Sequence, residues 1–397
     1  MDTAKRLDGI GEYYFSKKLR EIEELNRKGK NIISLGIGSP DQAPHPDVIR
    51  ILHEESSKSD THAYQSYKGS LVLRKAIAAW YKEFYNVSVD PDLEILPLAG
   101  SKEGIMHICM TYVNQGDLVL IPNPGYPTYQ SAARLAGAAL GVYELKEEKN
   151  WMPDFEEIKR LISTKPDSQK SVLMFVNYPH MPTGQRPEKN LFKNLVAFAR
   201  ENQVLLVHDN PYSFILNDEP MSILQAEGVN DVVIELNSLS KSHNMAGWRV
   251  GMLLAKAHHV ENILRFKSNM DSGMFLPVQL AAAKALSLPA SWYEKINDLY
   301  RTRKKAVEIL LQELGCLFSK EQSGLFVWAR VPEGIKDGYE LSDLLLYQAN
   351  VFVTPGGIFG SAGENYIRLS LCAPKEKIHE CTERVQRAGL FKSKHHV

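Results

Sequence analysis

Val232-Val-Ile-Glu-Leu-Asn-Ser-Leu-Ser-Lys-Ser-His-Asn-Met-Ala-Gly-Trp-Arg-Val-Gly251 passes from an apolar run directly into a lysine set between hydroxyls, with an arginine eight residues on. Its apolar start is one of a series. Leu118–Ile121, Ser171–Val176, Val204–His208, Val232–Leu236 and Val250–Leu254 alternate with amphipathic stretches, and both faces of each run are apolar. That pattern predicts an α/β fold: a mostly parallel sheet covered by helices on both faces, rather than an antiparallel meander with one wet face. Such sheets bind ligands beyond the carboxyl ends of their strands. Those ends read Asn123-Pro-Gly-Tyr-Pro, Asn177-Tyr-Pro-His, Asp209-Asn-Pro-Tyr and Ser238-Leu-Ser-Lys-Ser, all polar and all able to carry chemistry.

Most lysines are solvated surface charges. Lys241, however, follows an apolar strand at the ligand edge, where a desolvated amine forms a Schiff base with a carbonyl. Ser238, Ser240 and Arg249 supply hydroxyls and a guanidinium suited to a phosphate. An amine beside a phosphate pocket suggests pyridoxal 5'-phosphate, which makes three further demands: an acid at the pyridine nitrogen, a donor to the ring oxygen and an aromatic on the ring face. Asp209 ends a strand and suits the nitrogen, Tyr212 suits the ring oxygen, and Tyr126 is placed to stack. In Leu98-Ala-Gly-Ser-Lys-Glu-Gly104, Gly100, Ser101 and Lys102 open a helix and would offer free backbone N–H groups to an anion; an ordinary serine N-cap is the plainer reading of the same residues. Tyr64, in Tyr64-Gln-Ser-Tyr-Lys-Gly69, is read either as packing or as a ligand.

The 397 residues carry 47 Lys+Arg against 47 Asp+Glu, so a basic surface for nucleic acid is not expected. At roughly 150 residues per domain this length suggests about two to three units, enough for a cleft between lobes. Helices are expected at Lys102–Val113, Glu188–Arg200, Glu261–Asn269, Val278–Leu286 and Trp292–Leu314, the last long enough to bridge two lobes. Ser323–Val331, Leu341–Gln348 and Tyr366–Leu371 read as a smaller α+β domain that Asn31–Leu35 joins. The expected division is 1–45 as an N-terminal segment, 46–285 as the large domain and 286–397 as the small one. Cys109, Cys316, Cys372 and Cys381 are widely spaced, with no metal-ligand pattern, and read as buried reduced thiols of a cytoplasmic protein. His208, His243 and His258 have surface or core readings, and no metal site is expected. Neither a leader segment nor a stretch of about 18 apolar residues is seen, so no membrane association is expected.

Taken together, S-x-S-K-x(5)-G-x-R-x-G, the upstream D-x-x-Y and Arg368-Leu-Ser-Leu371 near the C-terminus resemble the fold-type I pyridoxal-phosphate enzymes of the class I/II aminotransferase family, over nearly the whole chain. The resemblance implies amino-group exchange between an α-amino acid and a 2-oxo acid by a ping-pong cycle. It implies that Lys241 holds the internal aldimine and moves the proton, that Asp209 pairs with the pyridinium and that Tyr212 bonds the ring oxygen. Ser101, Lys102, Ser238, Ser240 and Arg249 would bind phosphate, with Tyr64 reaching the phosphate of a neighbouring subunit in a homodimer. Arg368 would clamp the substrate α-carboxylate, with Gly38 lining it. The opening Gly11-Glu-Tyr-Tyr-Phe15 is similar to the LL-diaminopimelate and alanine-type branch, in which Tyr13 would contact substrate; an N-terminal aromatic also serves as a plain staple onto a partner.

One departure stands out. Where the family has an asparagine before Pro182 to bond the ring oxygen, this chain has Met181, which donates no hydrogen bond. Either Tyr212 acts alone, or a shifted loop brings His180 or Asn177 into that role. The segment expected to reach a partner's site, Asn269-Met-Asp-Ser-Gly-Met-Phe275, lacks the arginine of dicarboxylate-specific relatives. A neutral, aromatic, sulfur-containing or amino-bearing side chain is therefore expected of the substrate. A carbon–sulfur β-lyase or decarboxylase of the same fold would use the same groups, and a ligand-sensing regulator without turnover is the remote alternative.

Overall fold

In the computed structural model, which describes residues 2–163 and 172–390, seven strands form the central sheet. In spatial order they are Ile95–Leu98, Gly251–Ala255, Val233–Ser238, Val204–Asp209, Val172–Val176, Leu118–Asn123 and Ala139–Glu144. Ser171, the expected first residue of one strand, lies outside the described residues. Neighbours from Val233–Ser238 through to Ala139–Glu144 run parallel. Alternate side chains enter opposite layers, as the two-faced apolar runs require: Leu173 and Phe175 pack with Ile105 and Ile263, whereas Val172, Met174 and Val176 join the layer of Ile77 and Leu195.

The parallel expectation fails at Gly251–Ala255, which is antiparallel to both its neighbours. The chain turns back after Ser238 through a link containing only the four-residue helix Leu239–Ser242 and a short 3-10 turn, without the crossover helix that usually separates parallel strands. Two strands of this sheet escaped the sequence reading. Ile95-Leu-Pro-Leu98 is short and contains a proline, and Ala139–Glu144 is a half-exposed edge strand.

A second, antiparallel sheet orders Thr354–Pro355, Tyr366–Ser370, Phe326–Arg330 and Leu317–Phe318. Ile33–Ser34 pairs with Val351–Phe352 beside it, so the N-terminal stretch does join this smaller lobe. The helix Ala290–Glu313 ties the lobes together. Near its start the Tyr293 hydroxyl accepts from Trp80 Nε1 (2.7 Å), and Asn297 bonds the backbone of Phe214 and Leu216. Further along, Arg303 makes a bidentate pair with Asp41 (2.7 and 2.8 Å) and donates to the Leu371 carbonyl. All four cysteines are buried and free. Among the described residues no helix is long and apolar enough to cross a membrane.

Candidate active site

The strand order gathers the polar strand ends on one edge. Asp209 and Ser238 close parallel strands, and Asn177 follows the end of a third. Because Gly251–Ala255 runs the opposite way, its beginning meets their ends, and this reversal delivers Arg249 to the same edge. Ile95–Leu98 leads there too, into Gly100 and the helix Ser101–Tyr112.

A cavity of about 340 Å³ opens at this edge. Lys241, Asp209, Tyr212, Tyr126, Asn177, Ser101, Lys102, Ser238, Ser240, Arg249, Gly38, Arg368 and Tyr13 all line it. Tyr64 does not, and it is 92% exposed. Gly100 stands just behind the wall: a Cβ there would fall 2.0 Å from an Arg249 guanidinium nitrogen.

Lys241 is partly buried, and its amine donates to the Gly38 carbonyl. Burial moves the ammonium down to about 8, with Arg368 and Arg249 adding to the fall against an opposing Cys372. Asp209 is buried. Its Oδ2 accepts from the Tyr129 hydroxyl at 2.9 Å, and its Oδ1 has no partner. Burial lifts this carboxyl to about 6, against the opposing effects of Tyr129 and His208.

At the other end of the cavity Ser238 Oγ donates to Ser240 Oγ (2.9 Å) and accepts from the Ser240 N–H, which fixes both hydroxyls. Arg249, held with φ +56°, reaches Ser240 Oγ at 3.5 Å and the Ala246 carbonyl at 2.9 Å. The first-turn N–H groups of the Ser101 helix have no intrahelical acceptor. A Cβ at Gly251 would fall 2.5 Å from the Ser101 nitrogen, so only glycine lets the strand approach this closely. Hydroxyls, a guanidinium and helix N–H groups converge here on the space a phosphate needs.

Arg368 projects from Tyr366–Ser370 into the cavity, fully buried and in no ion pair among the described residues. Its guanidinium donates to the Gly36 carbonyl (3.0 Å) and to the Met181 thioether (3.2 Å), and Nε has no partner. The faces of Phe326, Phe359 and Phe15 stand 3.7, 4.6 and 5.6 Å from it. Burial pulls this arginine down to about 10. A desolvated cation without an anion in such a shell invites a carboxylate.

Near the departure at Met181, the Asn177 amide donates to the Asp209 carbonyl (2.5 Å) and accepts from the Met181 N–H (2.8 Å). The amide thus ties this loop to the end of the neighbouring strand, and Asn177 keeps a second N–H at the cavity wall. His180 is buried against Thr183 (2.8 Å) and does not line the cavity, whereas Met181 does. Tyr212 is left as the hydroxyl at this wall. The expected bland reading of His208 holds, since its ring bridges Glu235 (2.8 Å) and the Tyr178 carbonyl (3.0 Å) in the core. Sequence reasoning missed Tyr129 and the phenylalanines around Arg368. Tyr129 lies three residues after Tyr126 on the segment already singled out, a usable signal. The phenylalanines gave none.

The donor set fits pyridoxal phosphate on the structure's own terms: an orphaned carboxylate oxygen, a glycine cradle at the anion end and a partly buried amine lining the same cavity. The comparisons with known proteins agree. Residues 30–385 match the family Aminotransferase class I and II. The LL-diaminopimelate aminotransferase of Aquifex aeolicus is 38% identical over 391 residues, covering 98% of this chain and 100% of that protein. Its counterpart in Oleidesulfovibrio alaskensis is 40% identical over 389 residues, covering 96% and 98%. The apo structure of BacF from Bacillus subtilis superposes with a TM-score of 0.93 at 34% identity, covering 98% of this chain and 99% of that one.

Proposed function

This chain belongs to the class I and II aminotransferases and is a pyridoxal-phosphate-dependent transaminase, and from that premise we propose how its own residues divide the reaction. The supporting observation is one cavity lined by the amine of Lys241, a carboxylate with a free oxygen and a guanidinium that, among the described residues, has no anion.

Lys241 would be the residue that holds the cofactor and would move the proton to and from the substrate Cα; an amine drawn toward neutral pH suits both tasks. Asp209 would meet the ring nitrogen with its unpartnered Oδ1, while Tyr129 holds the carboxylate through Oδ2. Tyr212 would bond the ring oxygen, and Tyr126 would cover the ring. Gly100, Ser101, Lys102, Ser238, Ser240 and Arg249 take the phosphate, and Arg368 with Gly38 takes the substrate carboxylate. When bound, the cofactor supplies an electron sink for the charge left on Cα. Arg368 would hold the substrate carboxylate in one orientation, a positioning effect.

A homodimer belongs to this reading: Tyr64, exposed and outside its own cavity, serves the neighbour's phosphate. We also place the lobe boundaries near residues 45 and 286. Four buried free thiols favour a cytoplasmic setting. The test is spectroscopic. An amino donor alone should convert the cofactor absorbance to that of the aminated form, and a 2-oxo acid should restore it; pyruvate release without an acceptor would identify a lyase instead.

A further inference from the structure

The cations of the cavity are all committed in the preceding reading: Lys241, Lys102 and Arg249 to the cofactor, Arg368 to the α-carboxylate. Among the described residues Asp209 is the only carboxylate lining it, and the preceding reading gives it to the cofactor. What remains for the substrate side chain is uncharged and mostly apolar: Phe15, Leu19, Ile37, Phe326 and Phe359, with the phenol of Tyr13.

The wall is fixed rather than incidental. A Cβ at Gly38 would fall 2.2 Å from Phe326 Cζ, so this ring lies directly on the backbone that lines the carboxylate end. Phe15 and Leu19 come from the first turns of Tyr14–Arg27, where Glu12 accepts from Ser16 (2.6 Å) and Arg20 (2.6 Å) and closes the segment on itself. Nearby acids are spoken for in the same way. Glu12 is paired with Arg20, Asp41 with Arg303, and Asp271, in the segment expected to face a partner's site, with Lys267 (2.5 Å). Among the described residues a second ammonium or carboxylate on the substrate would thus meet no free counter-charge, and burying it unpaired costs far more than an apolar group gains.

We propose that this enzyme selects α-amino monocarboxylic acids with apolar, aromatic or thioether side chains, and that the aromatic wall of Phe15, Phe326 and Phe359 is the selecting surface. The inference rests on the transaminase reading and narrows its substrate. It sets this chain apart from a donor with a second charged amino acid head, such as LL-diaminopimelate.

Two measurements on the holoenzyme test it. In the first, single-turnover loss of the cofactor band gives kcat/KM for phenylalanine, methionine and leucine against LL-diaminopimelate, lysine and aspartate. The apolar donors should lead by at least about tenfold, the scale on which pockets discriminate side chains. Equal or greater efficiency with LL-diaminopimelate overturns the proposal and leaves transamination intact. In the second, calorimetry compares 3-phenylpropanoate with glutarate, neither of which has an amino group to transfer. Tighter binding of 3-phenylpropanoate supports the apolar wall even if no donor reacts, an outcome that would remove the transaminase reading alone; tighter binding of glutarate overturns the wall. Phe15→Ala should lower the phenylalanine-to-alanine efficiency ratio several-fold, and an unchanged ratio counts against the assignment of Phe15.

Discussion

The Tyr129 hydroxyl donates to Asp209 Oδ2 at 2.9 Å and leaves Oδ1 buried without a partner. The bond stabilises the ionised carboxylate against a burial that has already lifted it to about 6. Without that donor the carboxyl rises further. In the apo protein an ionised Asp209 is needed to meet the ring nitrogen, so cofactor affinity should fall as pH drops through about 6. In Tyr129→Phe the fall should begin at higher pH, with affinity at pH 7 weakened roughly tenfold or more, the scale of a hydrogen bond to a charged group. Cofactor titrations between pH 5 and 8 decide this, and superimposable pH profiles would remove Tyr129 from the site.

Lys241 sets a second pH dependence. An ammonium is not a nucleophile, and this one is drawn down to about 8 by burial, with help from two arginines. The rate at which apoenzyme captures cofactor covalently should therefore rise through about pH 8, well below where an exposed lysine titrates. Lys241→Ala should abolish the borohydride-stable mass adduct and lower turnover by at least 10² to 10⁴-fold. A persisting adduct would point to a different lysine.

Arg368→Lys keeps a positive charge but loses the planar fork and its packing between phenyl faces. It should cost roughly 10² in kcat/KM for amino donors while leaving cofactor affinity nearly unchanged, since Arg368 is assigned to the substrate carboxylate. Equal losses in both quantities would mean that the guanidinium serves the cofactor.

Met181 borders the cavity where a donor is absent, and its thioether accepts from Arg368 (3.2 Å). Met181→Asn should add a hydrogen bond to the ring oxygen and lower the pKa seen in the absorbance titration of the bound cofactor. An unchanged titration would mean that the loop holds residue 181 away from the ring.

Away from the cavity, Arg303 and Asp41 couple the long bridging helix to the N-terminal loop. Burial raises the Asp41 carboxyl, but Arg303 more than offsets it, and the group lies below its ordinary value. The pair's stabilisation is therefore present above the usual carboxylate range and lost as pH falls below it. Arg303→Met should cost about 1–3 kcal/mol at neutral pH, less than a fully buried pair because Asp41 keeps 24% exposure. The melting-temperature gap to wild type should narrow under acid; a gap independent of pH would assign the loss to packing.

Much of the large lobe was legible because its strands are buried on both faces and announce themselves as apolar runs with chemistry at their ends. Lys241, Asp209 and Ser238 follow from that pattern locally, each at or just beyond the end of such a run. Ile95–Leu98 and Ala139–Glu144 were not legible, since a proline and an exposed edge erase the signal. Tyr64 and Gly100 show two limits of a single chain: Tyr64 faces outward, and Gly100 acts through the space it leaves.

Sequence alone determined which groups stand at the strand ends and in what order, because strand burial and cofactor chemistry both act on neighbouring residues. Tertiary structure decided how they meet. The antiparallel turn of Gly251–Ala255 carries Arg249 to the common edge, the helix after Tyr126 brings Tyr129 to Asp209, and packing of the N-terminal helix and the small sheet sets Phe15, Phe326 and Phe359 around Arg368. These contacts join residues far apart in the chain. They depend on strand direction, register and packing between elements, which hydrophobic periodicity does not encode.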